Sequence, residues 1–326
     1  MINIFRRLNP VNIVFLVFIG LVLRAGMFFR LPETLNNSIS DLIARLIPWL
    51  NITDSLSSEA NVMLALIFVL VQAVIFNRII NNYNLINRPT FLPALMYVTL
   101  SSLLPPFLAI SSPLMCNFVL LWMMSKMLGI YRREEAISSM FDLGMLAGVG
   151  TLIYFPFIAM MLLIWICLLI FRPFNWREWI AALIGFATVY FFLAVYYYWN
   201  DSIGLFYKIW LPLTKPFPTR FVIDYYDYIV LIPVIIICAI GSIFLRQNFF
   251  RSYVHIRKSF QLLFVIFLLV VLSFYLSPQY RITHFLLAVP PVSVLTAYYF
   301  LNAQKSWFYE LLYAVLAGAI IYFQVF

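Results

Sequence analysis

Long apolar runs recur along the whole chain, and no other feature of the sequence restricts its fold as strongly. A helix needs about 20 mainly apolar residues to cross the hydrocarbon core of a bilayer, because all of its backbone polar groups must be bonded internally. Runs of this kind predict about eleven membrane-spanning helices. The predicted spans are residues 11–29, 59–76, 90–110, 113–128, 139–154, 156–171, 180–198, 228–245, 260–276, 284–301 and 307–326.

Prolines leave two of these boundaries open. Pro105 and Pro106 cannot continue a regular helix, so the third span either kinks or ends there. Only Tyr154, Phe155 and Pro156 separate the fifth span from the sixth. This connection predicts either a tight helical hairpin or one broken helix.

Composition excludes a soluble enzyme. Apolar residues make up 65% of the 326 residues, charged residues make up 10%, and the mean hydropathy is +0.99. Soluble domains are roughly half apolar and about a quarter charged. The sequence also lacks a phosphate-binding glycine loop and the HExxH, CxxC and G-x-S-x-G motifs. We therefore predict one all-α domain, residues 1–326, folded as a polytopic transmembrane helical bundle.

The formal net charge of +9 comes from basic residues at the ends of apolar runs. Such residues anchor helices at the lipid surface, and without a continuous basic stripe a nucleic-acid partner is excluded. Cys116, Cys167 and Cys238 lie inside apolar runs, so no disulfide or metal site is predicted. Arg24 interrupts the first span, which also lacks a small-residue cleavage site, so we predict a retained helix rather than a signal peptide.

The distribution of basic residues orients the predicted spans. With a cytoplasmic N-terminus, fourteen of the 21 basic residues face the cytoplasm and seven face outward, together with seven of the 12 acids. We therefore predict a multi-pass protein of the bacterial inner membrane, with the N-terminus in the cytoplasm and the C-terminus outside. The basic residues counted as cytoplasmic are Arg6, Arg7, Arg78, Arg88, Lys126, Arg132, Arg133, Arg172, Arg177, Arg246, Arg251, Arg257, Lys258 and Lys305.

Two predicted external loops, residues 31–58 and 199–227, are long enough to carry function. In the first loop, Asp41 and Arg45 form an i,i+4 pair on a segment whose apolar residues repeat at helical spacing. This pattern predicts a short amphipathic helix lying in the membrane interface. The second loop is rich in aromatic residues and proline, which favours a position at the level of the lipid headgroups.

The sequence SPQYRITHFLLAVPP, residues 277–291, combines an arginine, an imidazole and a phenol at the predicted external start of a helix. Arg281 and His284 are three residues apart and would share a helix face. The unpaired N–H groups of a helix N-terminus add a positive dipole end. This arrangement suits the phosphate of a lipid headgroup, and the alternative is that both side chains only anchor the helix at the lipid surface.

The same region resembles a motif of the GT-C type glycosyltransferases that use polyprenyl-phosphate sugars, such as lipid A aminoarabinose transferases and protein mannosyltransferases. The motif is a basic residue or histidine, an aromatic residue and then a proline-rich apolar helix, here RITHFLLAVPPVSVLTA. Two earlier blocks are similar to the same superfamily in their order, SSLLPPFLAISSPLMCNFVLLWMMSKMLGIYRREEA and DLGMLAGVGTLIYFPFIAMMLLIWICLLIFRPFNWREW. The resemblance extends over about residues 1–300, and the chain also looks like uncharacterised polytopic membrane families of Bacteroidota.

The resemblance implies an acid in the first external loop that acts as general base on the acceptor or orients it. Glu33 matches this position best, followed by Asp41. The superfamily often has a pair of adjacent acids here, which this sequence lacks. A lone carboxylate can serve as a base but is a poor site for a divalent metal, so no cofactor is expected.

The resemblance also implies that Arg281, His284 and Tyr280 bind the donor phosphate, with help from Lys215 and Arg220 in the second loop. The expected function is then transfer of a sugar from a polyprenyl-phosphate donor to an acceptor of the cell envelope, at the external face of the inner membrane. The competing hypothesis is a non-catalytic GT-C-like subunit that scaffolds a larger complex with membrane protein partners. A transporter is disfavoured because the helices are nearly uncharged and no repeat symmetry is detectable.

Overall fold

The protein is described by a computed structural model, which is helical throughout the described residues and contains no strand there. The described residues are 1–29, 57–131, 135–201, 203–208, 227–249, 252–277 and 281–325.

The α-helices are numbered in chain order within this part of the protein. They are α1 (Ile2–Phe5), α2 (Asn12–Val22), α3 (Ala25–Phe29), α4 (Ser58–Asn82), α5 (Leu92–Leu100), α6 (Ser112–Leu128), α7 (Ile137–Ile153), α8 (Met160–Phe171), α9 (Trp176–Trp199), α10 (Ile203–Lys208), α11 (Leu231–Phe249), α12 (Val254–Ser273), α13 (Val289–Asn302) and α14 (Ser306–Val325).

Six helical segments of the described chain are long and apolar enough to cross a membrane. The all-α part of the prediction is confirmed, and helices of this length and composition are typical of a membrane protein. The six segments are Ser58–Asn82, Trp176–Trp199, Tyr228–Phe249, Val254–Leu276, Ile282–Asn302 and Ser306–Gln324. Four shorter apolar helical segments accompany them, namely Asn12–Met27, Ser112–Leu128, Ile137–Ile153 and Phe155–Phe171.

Contacts between helix termini define two ends of the bundle. At the first, called the Arg6 end, Arg6 donates to the Ala303 carbonyl at the end of α13, and the Phe91 N–H donates to the Phe5 carbonyl. At the second, called the Arg24 end, Arg24 donates to the Leu108 carbonyl, 3.0 Å away. Successive apolar segments therefore run between the same two ends, so residues far apart in sequence meet at each of them.

The short helix α5 lies in the centre of the bundle, with every residue of Leu92–Leu100 buried. After α5, residues 101–111 form turns and a 3-10 helix at Pro105–Phe107 before α6 begins. The prediction left open whether the third span kinks or ends at the prolines. The structure agrees better with an end, because the α-helix stops at Leu100, before Pro105. We call residues 101–111 the 101–111 segment.

The connection between α7 and α8 is a turn followed by a 3-10 helix. Tyr154 has an extended backbone, with φ −148° and ψ 109°, and the 3-10 helix Phe155–Ala159 leads into α8. Pro156 lies at the start of this 3-10 helix, where its missing N–H costs no helical hydrogen bond. The fifth and sixth predicted spans are therefore separate helices.

Glycines allow α7 and α9 to pack with their backbones in contact. A Cβ atom added to Gly144 would collide with the Ala182 carbonyl, and one added to Gly185 would collide with the Phe141 carbonyl. Small residues at such crossings are typical of helix pairs in membranes, where close van der Waals packing replaces the hydrophobic driving force. Helix α9 is accordingly held on α7 alongside the central helices.

Candidate functional site

Polar side chains from other helices bond the backbone of the 101–111 segment. The Asn61 side-chain oxygen accepts from the Ile110 N–H at 2.9 Å, and Gln324 in α14 donates to the Ser102 carbonyl at 3.1 Å. Non-helical backbone at membrane depth is stable only where it is buried in protein or lines a cavity. These side chains supply hydrogen bonds that a continuous helix would have formed within itself.

Gln72 in α4 extends this bonding to the helices on either side of the segment. Its Nε2 donates to the Leu114 carbonyl of α6 at 2.8 Å, and its Oε1 accepts from the Tyr97 hydroxyl of α5 at 2.9 Å. All three side chains are buried. Gln72 therefore fixes the position of α5 relative to α6, and with it the path of the 101–111 segment.

A second irregular segment meets the first at the Arg24 end. The chain forms a 3-10 helix at Ile282–Ala288 before the α-helical part of α13 begins, and this 3-10 helix packs against Pro105–Phe107. Asn117 of α6 donates to the Leu286 carbonyl at 3.0 Å, which ties the 3-10 helix to the bundle. Two interrupted helices consequently face each other at one end of the protein.

His284 lies inside this region rather than at its surface. Its side chain is fully buried, with Nε2 2.7 Å from the Val270 carbonyl and Nδ1 2.8 Å from the Tyr154 hydroxyl. Because a carbonyl can only accept, Nε2 carries a proton and donates it to Val270. In the neutral imidazole Nδ1 then accepts from Tyr154, so both ring nitrogens are used within the protein.

The Tyr154 hydroxyl is also 3.2 Å from Ser277 Oγ, which extends the network toward the chain segment before Arg281. The ordinary pKa of a phenol is about 10. The hydroxyl is therefore protonated at neutral pH and is able to donate.

The prediction that Arg281 and His284 share one helix face is wrong, because only His284 lies within the helix. Arg281 has an extended backbone, with φ −77° and ψ 139°, and is the residue before the 3-10 helix; its carbonyl accepts from the His284 N–H at 3.1 Å. The α-helical part of α13 begins only at Val289. The Arg281 side chain is half-buried, whereas His284 is enclosed.

The other predicted site residues lie outside the described part of the chain. These are the two acids, the phenol and the two basic residues of the second loop: Glu33, Asp41, Tyr280, Lys215 and Arg220. The predicted amphipathic helix around Asp41 lies outside it as well. In the second predicted loop, Ile203–Lys208 forms the short helix α10.

Arg24 was not among the predicted site residues, and the structure gives it an unusual environment. Its side chain is fully buried between Val62 and Leu108, and only Nη1 has hydrogen bonds, to the carbonyls of those two residues. The available signal was the presence of an arginine inside a predicted span, where charged side chains are rare and often functional.

The chemistry available at the Arg24 end is that of fixed cations, hydroxyl groups and amides. Among the described residues, no group of three or more His, Cys, Asp or Glu side chains is arranged to hold a metal ion. Arg24 and Arg281 are able to bind an anion.

Residues 27–326 match a protein family described as "Family of unknown function (DUF6427)", and the chain belongs to this family. No curated protein matches the chain, and no solved structure matches it. The match covers all of the site described above except Arg24, which lies before residue 27.

Proposed function

We propose that the protein is a GT-C-like glycosyltransferase that moves a sugar from a polyprenyl-phosphate donor to an acceptor at the external face of the bacterial inner membrane. One observation carries the proposal. Two interrupted helices meet at the Arg24 end, and the second of them begins at Arg281, whose carbonyl accepts from the N–H of His284 in the Tyr154–His284 network. Irregular backbone and a fixed cation at the end of a membrane bundle suit the phosphate of a lipid donor.

In this mechanism, Arg281 stabilises the negative charge that develops on the donor phosphate as the bond to the sugar breaks. Tyr280, Lys215 and Arg220 contribute further donors to the same phosphate. His284 acts indirectly, because its backbone N–H holds the carbonyl of Arg281 and its Nδ1 holds the Tyr154 hydroxyl.

The acceptor is activated by a carboxylate of the first external loop in the same proposal. Glu33, or Asp41, removes the proton from the attacking hydroxyl group as that group forms its bond to the sugar. No cofactor takes part in this mechanism.

The proposed topology has about eleven crossings and a cytoplasmic N-terminus. Its support is that the Arg6 end also contains Lys126, paired with Asp142 at 2.7 Å, and Lys258 against the Tyr131 ring. Together with Arg6, these residues make that end the more basic of the two within the described part of the chain. Single cysteines placed at Ser202 and Ser252 should react from opposite sides of the membrane. Reaction of both from one side would refute the topology and the external location of the site.

The experiment on function is complementation of a deletion strain, combined with transfer assays on membranes. Glu33→Gln together with Asp41→Asn should lower transfer by about 10²–10⁴, since that is the usual contribution of a general base. Arg281→Ala should weaken binding of the lipid-phosphate donor. Glu59→Gln is the matched control, because this acid is exposed at the start of α4, at the same end, and has no part in the mechanism. Full complementation by the double variant would eliminate the glycosyltransferase proposal.

The second candidate is a non-catalytic subunit that scaffolds a membrane complex. The observation that favours it is the enclosure of His284, whose two ring nitrogens are both bonded within the protein. A scaffold predicts that the acid variants are silent, whereas substitutions on an exposed helix face release a protein that otherwise co-purifies. Trp122, which is 59% exposed on α6, is a suitable position for that arm of the experiment.

A further inference from the structure

Arg24 has one edge of its guanidinium group fully buried and without a hydrogen-bond partner. The side chain is 0% exposed, Nη1 is bonded to two carbonyls, and neither Nε nor Nη2 has a partner. The Nε and Nη2 groups form the edge of the guanidinium from which two parallel N–H bonds extend. That edge matches two oxygens of a single oxyanion, which is why arginine binds phosphate and carboxylate groups in a bidentate way.

The charge of Arg24 is not compensated by an acid of the described chain. The ion pairs formed by described residues join Met1 to Glu310, Lys126 to Asp142 and Arg172 to Glu178. An isolated buried charge is costly unless it is paired and hydrogen-bonded, and arginine cannot escape this cost by losing its proton. The two carbonyls that Arg24 contacts offset only part of this cost.

The N-terminus of α6 follows shortly after a residue that this guanidinium contacts. Leu108, whose carbonyl is 3.0 Å from Arg24 Nη1, is followed three residues later by Ser111, the residue before α6. The Ser111 hydroxyl is buried and has no hydrogen-bond partner, and it does not cap its own helix. Asn61 holds Ile110, so the approach to the helix is fixed. A helix N-terminus favours negative charge through its free N–H groups and its dipole.

We propose that Arg24 binds a phosphate group through Nε and Nη2, with Ser111 and the N-terminus of α6 as additional donors. Phosphate is the anion whose tetrahedral oxygens engage both an arginine edge and a helix N-terminus, and lipid phosphates are concentrated where membrane helices end. The inference rests on the proposed function only in that the donor of that reaction carries such a group. The binding itself requires neither donor sugar nor acceptor.

The test measures binding to the full chain, purified in a phosphate-free maltoside detergent, by shifts in its thermal unfolding temperature. The probes are short-chain phosphatidic acid and inorganic phosphate, each compared with chloride at equal ionic strength. Arg24→Gln should weaken binding of the phosphate probe at least tenfold. Arg7→Gln is the matched control, since Arg7 is exposed at the Arg6 end, and it should bind as the natural sequence does.

Binding of both probes identifies a phosphate site open to free phosphate, whereas binding of phosphatidic acid alone identifies a lipid-borne phosphate; both results support the inference. Equal affinity of Arg24→Gln and the natural sequence would overturn it, and so would the absence of any phosphate-dependent shift in the natural sequence. If Arg24→Gln does not fold, Arg24→Lys provides the same comparison, since it keeps the charge and loses the bidentate edge. Phosphate binding together with full activity of the Glu33 and Asp41 variants would refute the proposed glycosyltransferase function and leave the phosphate site at Arg24 supported.

Discussion

The hydrogen bonds of Gln72 permit a quantitative test of how the central helices are held. Tyr97→Phe removes one buried hydrogen bond and leaves Gln72 Oε1 without its donor, so we expect a loss of about 1 kcal/mol in the free energy of unfolding. Gln72→Leu removes the bond to the Leu114 carbonyl as well and leaves the Tyr97 hydroxyl unpaired. We expect about 2 kcal/mol for that change.

The double variant should be less destabilised than the sum of the two single changes. Each single variant already loses the hydrogen bond between Gln72 and Tyr97, so the sum of the two changes includes this bond twice. Such bonds in membrane proteins contribute about 0.6 kcal/mol on average and up to about 1.7 kcal/mol. The assay is reversible unfolding in mixed micelles, followed by tryptophan fluorescence. Ser242→Ala combined with Tyr97→Phe is the control pair, because Ser242 is exposed and bonds only within α11.

Independent sites add within about 0.3–0.5 kcal/mol. Additivity of the Gln72 and Tyr97 changes within this limit would show that the two side chains are not bonded, and the account of how α5 is fixed against α6 would be wrong.

Two further changes test packing and charge by the same unfolding measurement. Gly144→Ala should cost about 1–3 kcal/mol because the new methyl group meets the Ala182 carbonyl, whereas Gly318→Ala, in open space on α14, should be neutral or stabilising by up to about 1 kcal/mol. Equal effects would contradict the close crossing of α7 and α9. Glu178→Ala should cost about 3 kcal/mol, because it removes a buried carboxylate that lies 2.9 Å from the nearly buried Arg172; a silent change would place the pair in water.

The helices were predictable because lipid imposes a length and a composition on any segment that crosses it. The apolar runs accordingly anticipate the helical segments. The short helix Leu92–Leu100 was not predictable, because the chain from residue 90 to 110 is apolar throughout and only its prolines signal an interruption. Its position depends on Gln72, which bonds Tyr97 from another helix, and the segment after it depends on Asn61, which bonds Ile110; periodicity does not encode either contact.

The candidate site was predictable only in its residue types. Arg281 and His284 stand at the expected end of their helix, but the depth of His284 follows from its bonds to Val270 and Tyr154, and both partners belong to other segments. Arg24 was visible as a charge within an apolar run. The packing of Leu108 and its neighbours around Arg24 leaves one edge of the guanidinium buried and unpaired, and the sequence does not encode this packing locally.

The hydrogen bond between Gln324 and Ser102 links parts of the protein that are synthesised far apart in time. The two residues are 222 positions apart, so the 101–111 segment is already in the membrane long before its partner in α14 leaves the ribosome. Until then the Ser102 carbonyl lacks this bond in a region where few other donors are available. A nascent chain arrested before α14 therefore has an unbonded carbonyl at Ser102, in the interior of the bundle. The stability of this interior depends on whether α14 has been inserted.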